Sequence, residues 1–429
     1  MTPEVKKRIE QIRQGIVPEG YVKDKDGIYP RDWASKKIGQ WLKLAERSIV
    51  LQDEEEYQLV TIRRGFGGVD SRGSFLGKNV LVKNYFIVKT GDFIISKRQI
   101  AHGACGIVPP ELDGAVVSNE YNVFLPQDGT NIQMFNLMMQ LPHYKRLFYL
   151  MSDGVHIEKL LFKTQDWMKR TLAMPLLKEQ KKIAEILVTQ DKAIELQGRK
   201  IEELKRFKKG CLERMFPRKG QKVPEKRFPG FTDDWEQRKL TEFVEFFSGL
   251  TYTPNDVQEN GTLVLRSSNV SNGEVVDADN VYVNPQVVNS ENVKVGDIVV
   301  VVRNGSRSLI GKHAQIKAFM PNTVIGAFMT GIRSECPKFT NALLNTSRFE
   351  EEIAMNMGAT INQITGYMFS KMEFKVPCLD EQKEIGEYFE NLDHLITLHQ
   401  RKLEEMKKQK KALMQLLLTG IVKTKGEVR

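Results

Sequence analysis

One segment of this chain is duplicated, and no other feature of the sequence constrains the possible fold as strongly. The segment Pro175–Lys209 recurs without a gap as Pro377–Lys411, with about half of the positions identical. The two copies begin 202 residues apart, which is far more than the period of a solenoid repeat, about 20 to 50 residues. The chain therefore reads as a duplicated domain followed by a duplicated helix.

Both copies have the apolar periodicity of a long amphipathic helix, with charged residues on the other faces. About 40 helical residues span roughly 60 Å. An ordinary core helix is the alternative, but so long a stripe needs a partner of equal length, and the other copy is the obvious one. A two-fold axis between the halves would make the helices antiparallel. The stripe residues are Ile183, Leu187, Ile194, Ile201, Leu204 and Phe207 in the first copy, and Ile385, Tyr388, Leu392, Leu395, Met406, Leu413 and Leu416 in the second.

Composition points to a globular protein with a polyanionic partner. The 429 residues suffice for two or three domains, and the net charge is +10. No apolar run reaches the roughly 18 residues of a membrane span, and the N-terminus lacks the apolar core of a signal peptide. We therefore predict a soluble, cytoplasmic protein with no membrane partner. The four scattered cysteines, without histidines at ligand spacing, predict reduced thiols and no metal site.

Matching ends divide the chain into repeated parts. Asp32-Trp33 and Asp234-Trp235 open two globular segments at the same offset as the helices. These segments are nearly equal in length but differ inside, which suggests one scaffold with two specificities. The predicted order is an N-terminal helical segment (1–29), module 1 (30–174), a central spacer helix (175–216), a basic linker (217–232), module 2 (233–376) and a C-terminal spacer helix (377–429).

The sequence also suggests a circular arrangement of the repeated parts, opened within one helical segment, so that the two ends of the sequence belong to the same segment. Residues Thr2–Gly15 predict a short charged helix that matches the tail of the repeat helix near Leu418–Val422. The basic residues around the linker could bind a polyanion or simply form a solvated surface, and both readings stay open. They are Arg214, Arg218, Lys219, Lys222, Lys226 and Arg227.

Each module is predicted to be mixed α/β. Gly91-Asp92 and Gly296-Asp297 precede β-branched and apolar runs, which is typical of a turn into a buried strand. Further strands are predicted at Tyr57–Ile62, Val80–Val82, Asn122–Phe124, Thr262–Leu265 and Phe328–Ile332, and helices at Met134–Leu150 and Phe339–Met355.

No catalytic constellation is found in the sequence. The phosphate-loop motif is missing, and the glycine-rich stretch near Arg64 has no clear strand-loop-helix context. Asn284-Pro285-Gln286 begins like the motif of adenine methyltransferases, but lacks the second proline and the aromatic residue that stacks a flipped base. These absences argue against ATP-driven work and against a cofactor site in this chain.

Polar and basic residues follow the predicted strands at matching places in both modules. Arginine, asparagine and glutamine can make two hydrogen bonds to one base edge, whereas lysine suits phosphates. Solvated loop charges are the alternative for about half of these positions. The candidate DNA contacts are Arg63, Arg64, Arg72, Lys97, Arg98 and Gln99 in module 1, and Arg266, Asn269, Arg303, Asn304, Arg307 and Lys312 in module 2.

The duplicated Pro-x-Leu-x-Glu-Gln-x-x-Ile block at Pro175–Ile183 and Pro377–Ile385, with the two Asp-Trp starts, resembles the specificity subunit of type I restriction-modification systems. That resemblance implies two target-recognition domains held apart by antiparallel helices, each reading half of a bipartite DNA sequence. It implies that this chain is itself non-catalytic and binds no cofactor. The chemistry belongs to partners: two methyltransferase subunits that use S-adenosylmethionine, and up to two restriction subunits that use ATP and Mg²⁺. It supplies no contact motif, so the candidate residues rest on side-chain chemistry and position.

The same architecture follows from length. A roughly 60 Å helical arm exceeds one turn of DNA, about 34–36 Å, so two separated half-sites are within reach. Different module interiors predict an asymmetric site. A non-enzymatic scaffold with two protein-binding modules, or a self-contained methyltransferase or nuclease, remains the alternative.

Overall fold

The computed structural model describes residues 2–24, 27–154, 160–357 and 362–424. The chain forms two compact units. Unit 1 comprises Met1–Leu196 and Leu403–Arg429, and unit 2 comprises Gln197–Lys402. Each unit therefore contains one module together with parts of both spacer helices.

Unit 1 is mixed α/β, as the sequence predicts. Its elements are α1 (Pro3–Arg13), β1 (Tyr21–Asp24), β2 (Gly27–Pro30), β3 (Ala34–Lys37), α2 (Ile38–Trp41), β4 (Leu42–Leu44), β5 (Ser48–Val50), β6 (Glu56–Ile62), β7 (Val69–Leu76), β8 (Asn84–Ile87), β9 (Phe93–Ser96), β10 (Cys105–Ile107), β11 (Val116–Ser118), β12 (Tyr121–Pro126), α3 (Ile132–Met139), α4 (Pro142–Leu150), β13 (Ser152–Asp153), β14 (Leu161–Phe162), α5 (Thr164–Met168), β15 (Thr171–Met174) and the start of α6 (Leu177–Met215).

Unit 2 continues along α6 and repeats the same plan. Its further elements are β16 (Glu236–Lys239), β17 (Val244–Ser248), β18 (Val257–Gln258), β19 (Thr262–Leu265), β20 (Val270–Ser271), β21 (Glu274–Val275), β22 (Val281–Val283), β23 (Ile298–Val301), β24 (His313–Gln315), β25 (Thr323–Ile325), β26 (Met329–Ser334), α7 (Pro337–Leu344), α8 (Ser347–Asn356), α9 (Gly366–Lys371), β27 (Glu373–Val376) and α10 (Leu379–Leu418), whose last turns belong to unit 1.

Each module contains two larger sheets, together with two-stranded sheets. Module 1 has a five-stranded sheet in the order β5-β8-β11-β6-β7 and a four-stranded sheet in the order β10-β9-β12-β4. Module 2 has the corresponding orders β18-β22-β19-β25 and β17-β26-β23-β24. In both modules the first sheet contains one parallel pair, β6 with β11 and β19 with β25. The modules therefore share a scaffold but differ in the strands added at its edges.

Aromatic side chains fill the cores beneath the four-stranded sheets. In module 1 the rings of Phe93 and Phe135 lie 5.3 Å apart, and those of Phe124 and Trp167 lie 5.6 Å apart. Ile183 of α6 is fully buried in the same cluster. Burial of about 25 cal/mol per Å² of apolar surface makes such clusters the main stabilising contribution to each module.

The spacer helices confirm the prediction from the duplicated stretch. Helix α6 has 39 residues and α10 has 40, and they begin at equivalent positions of the repeat. In unit 1, Lys410 pairs with Asp191 at 2.5 Å, and in unit 2 the equivalent Lys208 pairs with Asp393 at 2.6 Å. These two equivalent ion pairs show that the helices run antiparallel within each unit.

The chain ends also match the sequence-based prediction. In unit 1 the hydroxyl of Tyr21 donates to the carbonyl of Gly420 at 2.6 Å, and Arg8 donates to the carbonyl of Ile421 at 2.5 Å. Leu418 lies in the same core cluster as Trp33, as Phe216 does with Trp235 in unit 2. The N-terminal segment thus packs on the end of α10, where unit 2 has uninterrupted chain.

Three of the predicted elements need correction. Residues Val80–Val82 form no strand, and a 3-10 turn at Gly77–Asn79 precedes them. The predicted helix Met134–Leu150 is two helices, because Pro142 has no N–H to continue the first. The predicted helix Phe339–Met355 is also two, because the Thr346 side chain caps a new N-terminus by accepting from the Phe349 amide.

One of the linker cations is structural. Arg227 makes a bidentate ion pair with Glu381 at 2.7 and 2.8 Å, and the Glu381 side chain is fully buried at the start of α10. The linker therefore fastens the second spacer helix, and Arg227 is not available for a polyanion.

Candidate nucleic-acid interface

Several of the candidate contacts lie where three strands end at one edge of each module. Because β6 and β11 are parallel, their carboxyl ends meet at the same edge, and the loop after β9 joins them there. The Gly65 amide donates to the His102 carbonyl at 2.7 Å, and the Lys97 amide donates to the Glu120 carbonyl at 2.9 Å. We call the loops after these three strands the strand-end loops of module 1.

These loops bring Arg64, Lys97, Arg98 and Gln99 together. Arg64 and Arg98 are exposed, whereas Lys97 and Gln99 are half-buried. Arg98 Nε lies 2.6 Å from Glu120 Oε2. An ion pair this exposed contributes little to stability, so Arg98 can exchange it for another acceptor at small cost.

Two further candidates of module 1 lie on or beside the edge strand β7. Arg63 pairs with Asp70 at 2.5 Å, and both side chains are largely exposed. Arg72 is the extra residue of a β-bulge, because Leu59 pairs with Gly73 and Val60 with Ser71. Bulges re-aim side chains away from the regular pleat. Burial raises the pKa of Tyr121, and the positive charge of Arg72 opposes that rise.

Module 2 repeats the arrangement with the loops after β19, β23 and β25. The Asn304 amide group donates to Ser267 Oγ at 3.0 Å, which joins the first two loops. The Arg303 backbone amide donates to the Phe328 carbonyl at 3.2 Å, which joins the third. The structure thus brings Arg266, Arg303 and Asn304 into one set of strand-end loops. Arg266 pairs there with Asp279 at 2.7 Å.

Asn269 is a correction to the candidate set. Its side chain is only 1% exposed. It donates to the carbonyl of Ala278 at 2.8 Å and accepts from the Arg266 amide at 2.9 Å. A buried amide with its hydrogen bonds satisfied holds its own loop together and cannot reach a base edge, so we remove Asn269 from the set.

Arg307 and Lys312 line a groove of about 570 Å³ against α7 and α8. Both side chains are exposed, while Phe349 and Ile353 on the groove floor are buried. His313 borders the same groove and is neutral: burial lowers its pKa to about 4. Its Nδ1 donates to the Gly311 carbonyl at 3.1 Å and its Nε2 accepts from Asn345 at 3.1 Å. The positive charges that line this groove are those of Arg307 and Lys312.

Glu120 and Phe328 are residues of the interface that sequence reasoning missed. They occupy equivalent turns, between β11 and β12 and between β25 and β26. Nothing in the local sequence marks either as functional. Glu120 and Phe328 become apparent from the strand pairing, because it places each of them opposite a candidate arginine.

Two absences concern the described part of the chain. Within it, no helix is both long and apolar enough to cross a membrane. Among the same residues, no group of three or more histidine, cysteine, aspartate or glutamate side chains is placed to hold a metal ion.

The chain is similar to known proteins over most of its length. The family model of the type I restriction modification DNA specificity domain matches it twice, at residues 30–206 and 232–408. The specificity subunit of the type I restriction enzyme MjaVIII of Methanocaldococcus jannaschii is 25% identical over 422 residues, covering 92% of this chain and 94% of that protein. The specificity subunit of the type I restriction enzyme EcoKI of Escherichia coli is 26% identical over 203 residues, covering 45% of this chain and 43% of that protein.

Solved structures share the fold. A chain from a structure of the assembly and conformational transition of the type I restriction-modification system aligns with a TM-score of 0.57 and 16% identity, over 92% of this chain and 99% of that chain. The S subunit of a type I restriction-modification system from M. genitalium aligns with a TM-score of 0.55 and 13% identity, over 90% and 96%.

Proposed function

The chain belongs to the type I restriction modification DNA specificity family, and from this we propose that each of its modules reads one half of a bipartite, asymmetric DNA sequence. A specificity subunit of this kind is non-catalytic. The observation that supports the proposal most is the repeated set of strand-end loops, which presents Arg98 and Arg303 at equivalent positions within otherwise different loops. Equivalent placement suits a common way of docking on DNA, and different surroundings suit different bases.

The chemistry of modification and cleavage belongs to partner subunits in this proposal. We expect two methyltransferase subunits that use S-adenosylmethionine to dock along the spacer helices, and up to two restriction subunits that use ATP and Mg²⁺. The net charge of +10 supports a DNA partner, since phosphate contacts need lysine and arginine. The long spacer helices support a gap whose size depends on helix length, since each helical residue adds about 1.5 Å.

The decisive experiment maps methylated adenines in DNA exposed to the full chain together with its methyltransferase partner. We expect one motif with two different half-sites around a fixed gap, and no such motif when this chain is omitted. Binding of the assembled complex to duplexes carrying that motif should fall steeply with salt. A complex that forms but leaves no motif and binds no duplex would contradict the proposal and favour a scaffold that binds proteins only.

A further inference from the structure

Each module has an arginine at an equivalent position beside an equivalent strand pair. The residue that faces this arginine differs between the two modules. Ser96 of β9 pairs with Tyr121, and Val301 of β23 pairs with Met329. Arg98 and Arg303 each lie two residues beyond these pairs. Glu120 and Phe328 each lie one residue before them, in the facing turn. The two modules therefore share one arginine position and differ at the residue beside it.

The backbone holds both pairs in the same way. The Lys97 amide donates to the Glu120 carbonyl at 2.9 Å, and the Val302 amide donates to the Phe328 carbonyl at 3.0 Å. The facing turn is thereby fixed against the loop that carries the arginine. A difference in side chain at this turn changes what the surface presents without changing the frame around it.

The side chains themselves make different contacts. Arg98 makes an ion pair with Glu120, whereas the Arg303 guanidinium carbon lies 5.0 Å from the centre of the Phe328 ring. Phe328 is 56% exposed although it lies among polar and cationic loops. Leaving so much of an aromatic ring in water is unfavourable, and the cation–π contact covers only one face of it. Phe328 thus has an apolar surface available for a ligand.

The chemistry of base edges gives each side chain one good target. In the major groove a carboxylate accepts from the amino group of cytosine, and an apolar side chain contacts the methyl group of thymine, the one apolar group at those edges. We propose that Glu120 and Phe328 are specificity-determining residues, with Glu120 selecting a cytosine in the first half-site and Phe328 selecting a thymine in the second. This inference rests on the proposed function, since it concerns bases within the two half-sites.

The arginines act as positioning residues for this selection. Arg98 offsets the repulsion between the Glu120 carboxylate and nearby phosphates, and its ion pair orients that carboxylate. Arg303 lies over one face of the Phe328 ring and so limits the orientations that the ring can adopt. In this arrangement the arginine supplies a positive charge in both modules, and the residue that faces it determines which base is selected.

A thymine-to-uracil scan tests the inference on the unaltered protein. The full chain in complex with its methyltransferase partner is bound to duplexes carrying the mapped site, in which each thymine of the second half-site is replaced in turn by uracil. This change removes one methyl group and nothing else. We expect one replacement to weaken binding about three- to fivefold, and the same replacement to have no effect on the Phe328→Ala complex.

A reciprocal exchange tests the selection itself. Phe328→Glu should change one position of the second half-site from thymine to cytosine in the methylation motif, and Glu120→Phe should make the reverse change in the first. Phe328→Leu should keep the thymine, which controls for folding. Phe319→Glu should leave the motif unchanged, because Phe319 is 80% exposed but precedes β25, away from the strand-end loops.

The outcomes separate the inference from the proposed function. The assignment of Glu120 and Phe328 is wrong if the complex binds its site but no thymine-to-uracil replacement has an effect that depends on Phe328. It is also wrong if both exchanges leave the motif unchanged. In either case the proposed function stands. If the unaltered complex shows no sequence-specific binding at all, the proposed function itself fails.

Discussion

Arg98 and Arg303 are the residues for which position and chemistry agree most closely. Each is exposed, and each follows an equivalent strand in its own module. We expect Arg98→Ala and Arg303→Ala each to weaken specific binding, by about 1–3 kcal/mol if the arginine reads a guanine in addition to positioning the residue that faces it. Fluorescence-based titration with cognate and random duplexes measures this loss.

Controls distinguish a base contact from a phosphate contact. Arg303→Lys keeps the charge but loses the two-pronged geometry, so it should restore non-specific but not specific binding. Arg238→Ala should be silent, because Arg238 lies on β16, which pairs with β27 rather than with the strand-end loops. Equal losses on cognate and random DNA would make either arginine a phosphate contact, and no loss on either would exclude it from the interface.

His313 makes the stability of module 2 depend on pH. Its pKa is lowered to about 4 by burial, whereas an unfolded histidine titrates near about 6.5. The unfolded chain therefore binds a proton first as the pH falls. Stability is fully present above about pH 6.5 and is lost progressively towards about pH 4, by at most about 3 kcal/mol. Urea denaturation at several pH values, followed by a probe in module 2, measures the slope.

The matched variant for this prediction is His313→Gln, which removes the titrating group but keeps a polar side chain beside Asn345. It should be less stable than the wild type at neutral pH, yet its stability should fall less between about pH 6.5 and about pH 4. Identical slopes in the two proteins would mean that other groups set the acid sensitivity.

At the scale of elements, the spacer helices are paired through equivalent residues. Gln197 Nε2 lies 2.8 Å from His399 Nδ1 and donates to the His399 carbonyl at 2.8 Å, and these two residues occupy the same position of the repeat. A polar contact within an apolar seam fixes the register of a helix pair. The helices can therefore act as a ruler whose length is set by sequence.

Lengthening both helices tests the ruler. Four residues inserted after Gln197 and four before His399 face each other in the antiparallel pair, so the rest of the pairing stays matched. They add about 6 Å and rotate the downstream part of each helix by about 40°. We expect the gap in the methylated motif to grow by about two base pairs while both half-sites stay the same. Inserting four residues in α6 alone should instead disrupt the pairing and reduce modification. A changed half-site with an unchanged gap would contradict the ruler.

The sequence predicted elements well where the signal was local and periodic. The helices α6 and α10 and the strand Thr262–Leu265 were predicted because apolar spacing alone defines them. The break before Pro142 was missed because the apolar period continues across it. Burial of Asn269 could not be seen, because it depends on backbone carbonyls of a later loop. Glu120 and Phe328 were missed for the same reason, since a facing turn is a long-range relation.

At the scale of the whole molecule, the repeat makes the halves interchangeable. A fragment ending at Phe216 keeps module 1 and all of α6, but leaves its apolar stripe uncovered. A second copy can cover that stripe through a two-fold contact, with Asp191 of each copy facing Lys208 of the other as it faces Lys410 in the full chain. We expect the fragment to dimerise, to recruit the methyltransferase and to modify a symmetric site made of the first half-site and its inverted copy.

Two measurements check the fragment. Analytical ultracentrifugation should give a dimer, and Lys208→Glu should weaken it without changing module 1, since Lys208 lies on α6. Sequencing of methylated DNA should give the inverted repeat. A stable monomer, or a dimer that modifies an asymmetric site, would show that the two halves are not equivalent.

The contact between Tyr21 and Gly420 has a consequence for the order in which the polypeptide is encoded. Because Tyr21 and Gly420 are in contact within unit 1, the segments that carry them lie close together, although they are far apart in the sequence. The exposed Gly220 turn in the linker occupies the corresponding point in unit 2. A gene that links these two segments by a short bridge and starts instead at Gly220 would encode the same elements in rotated order, with Arg227 still able to reach Glu381.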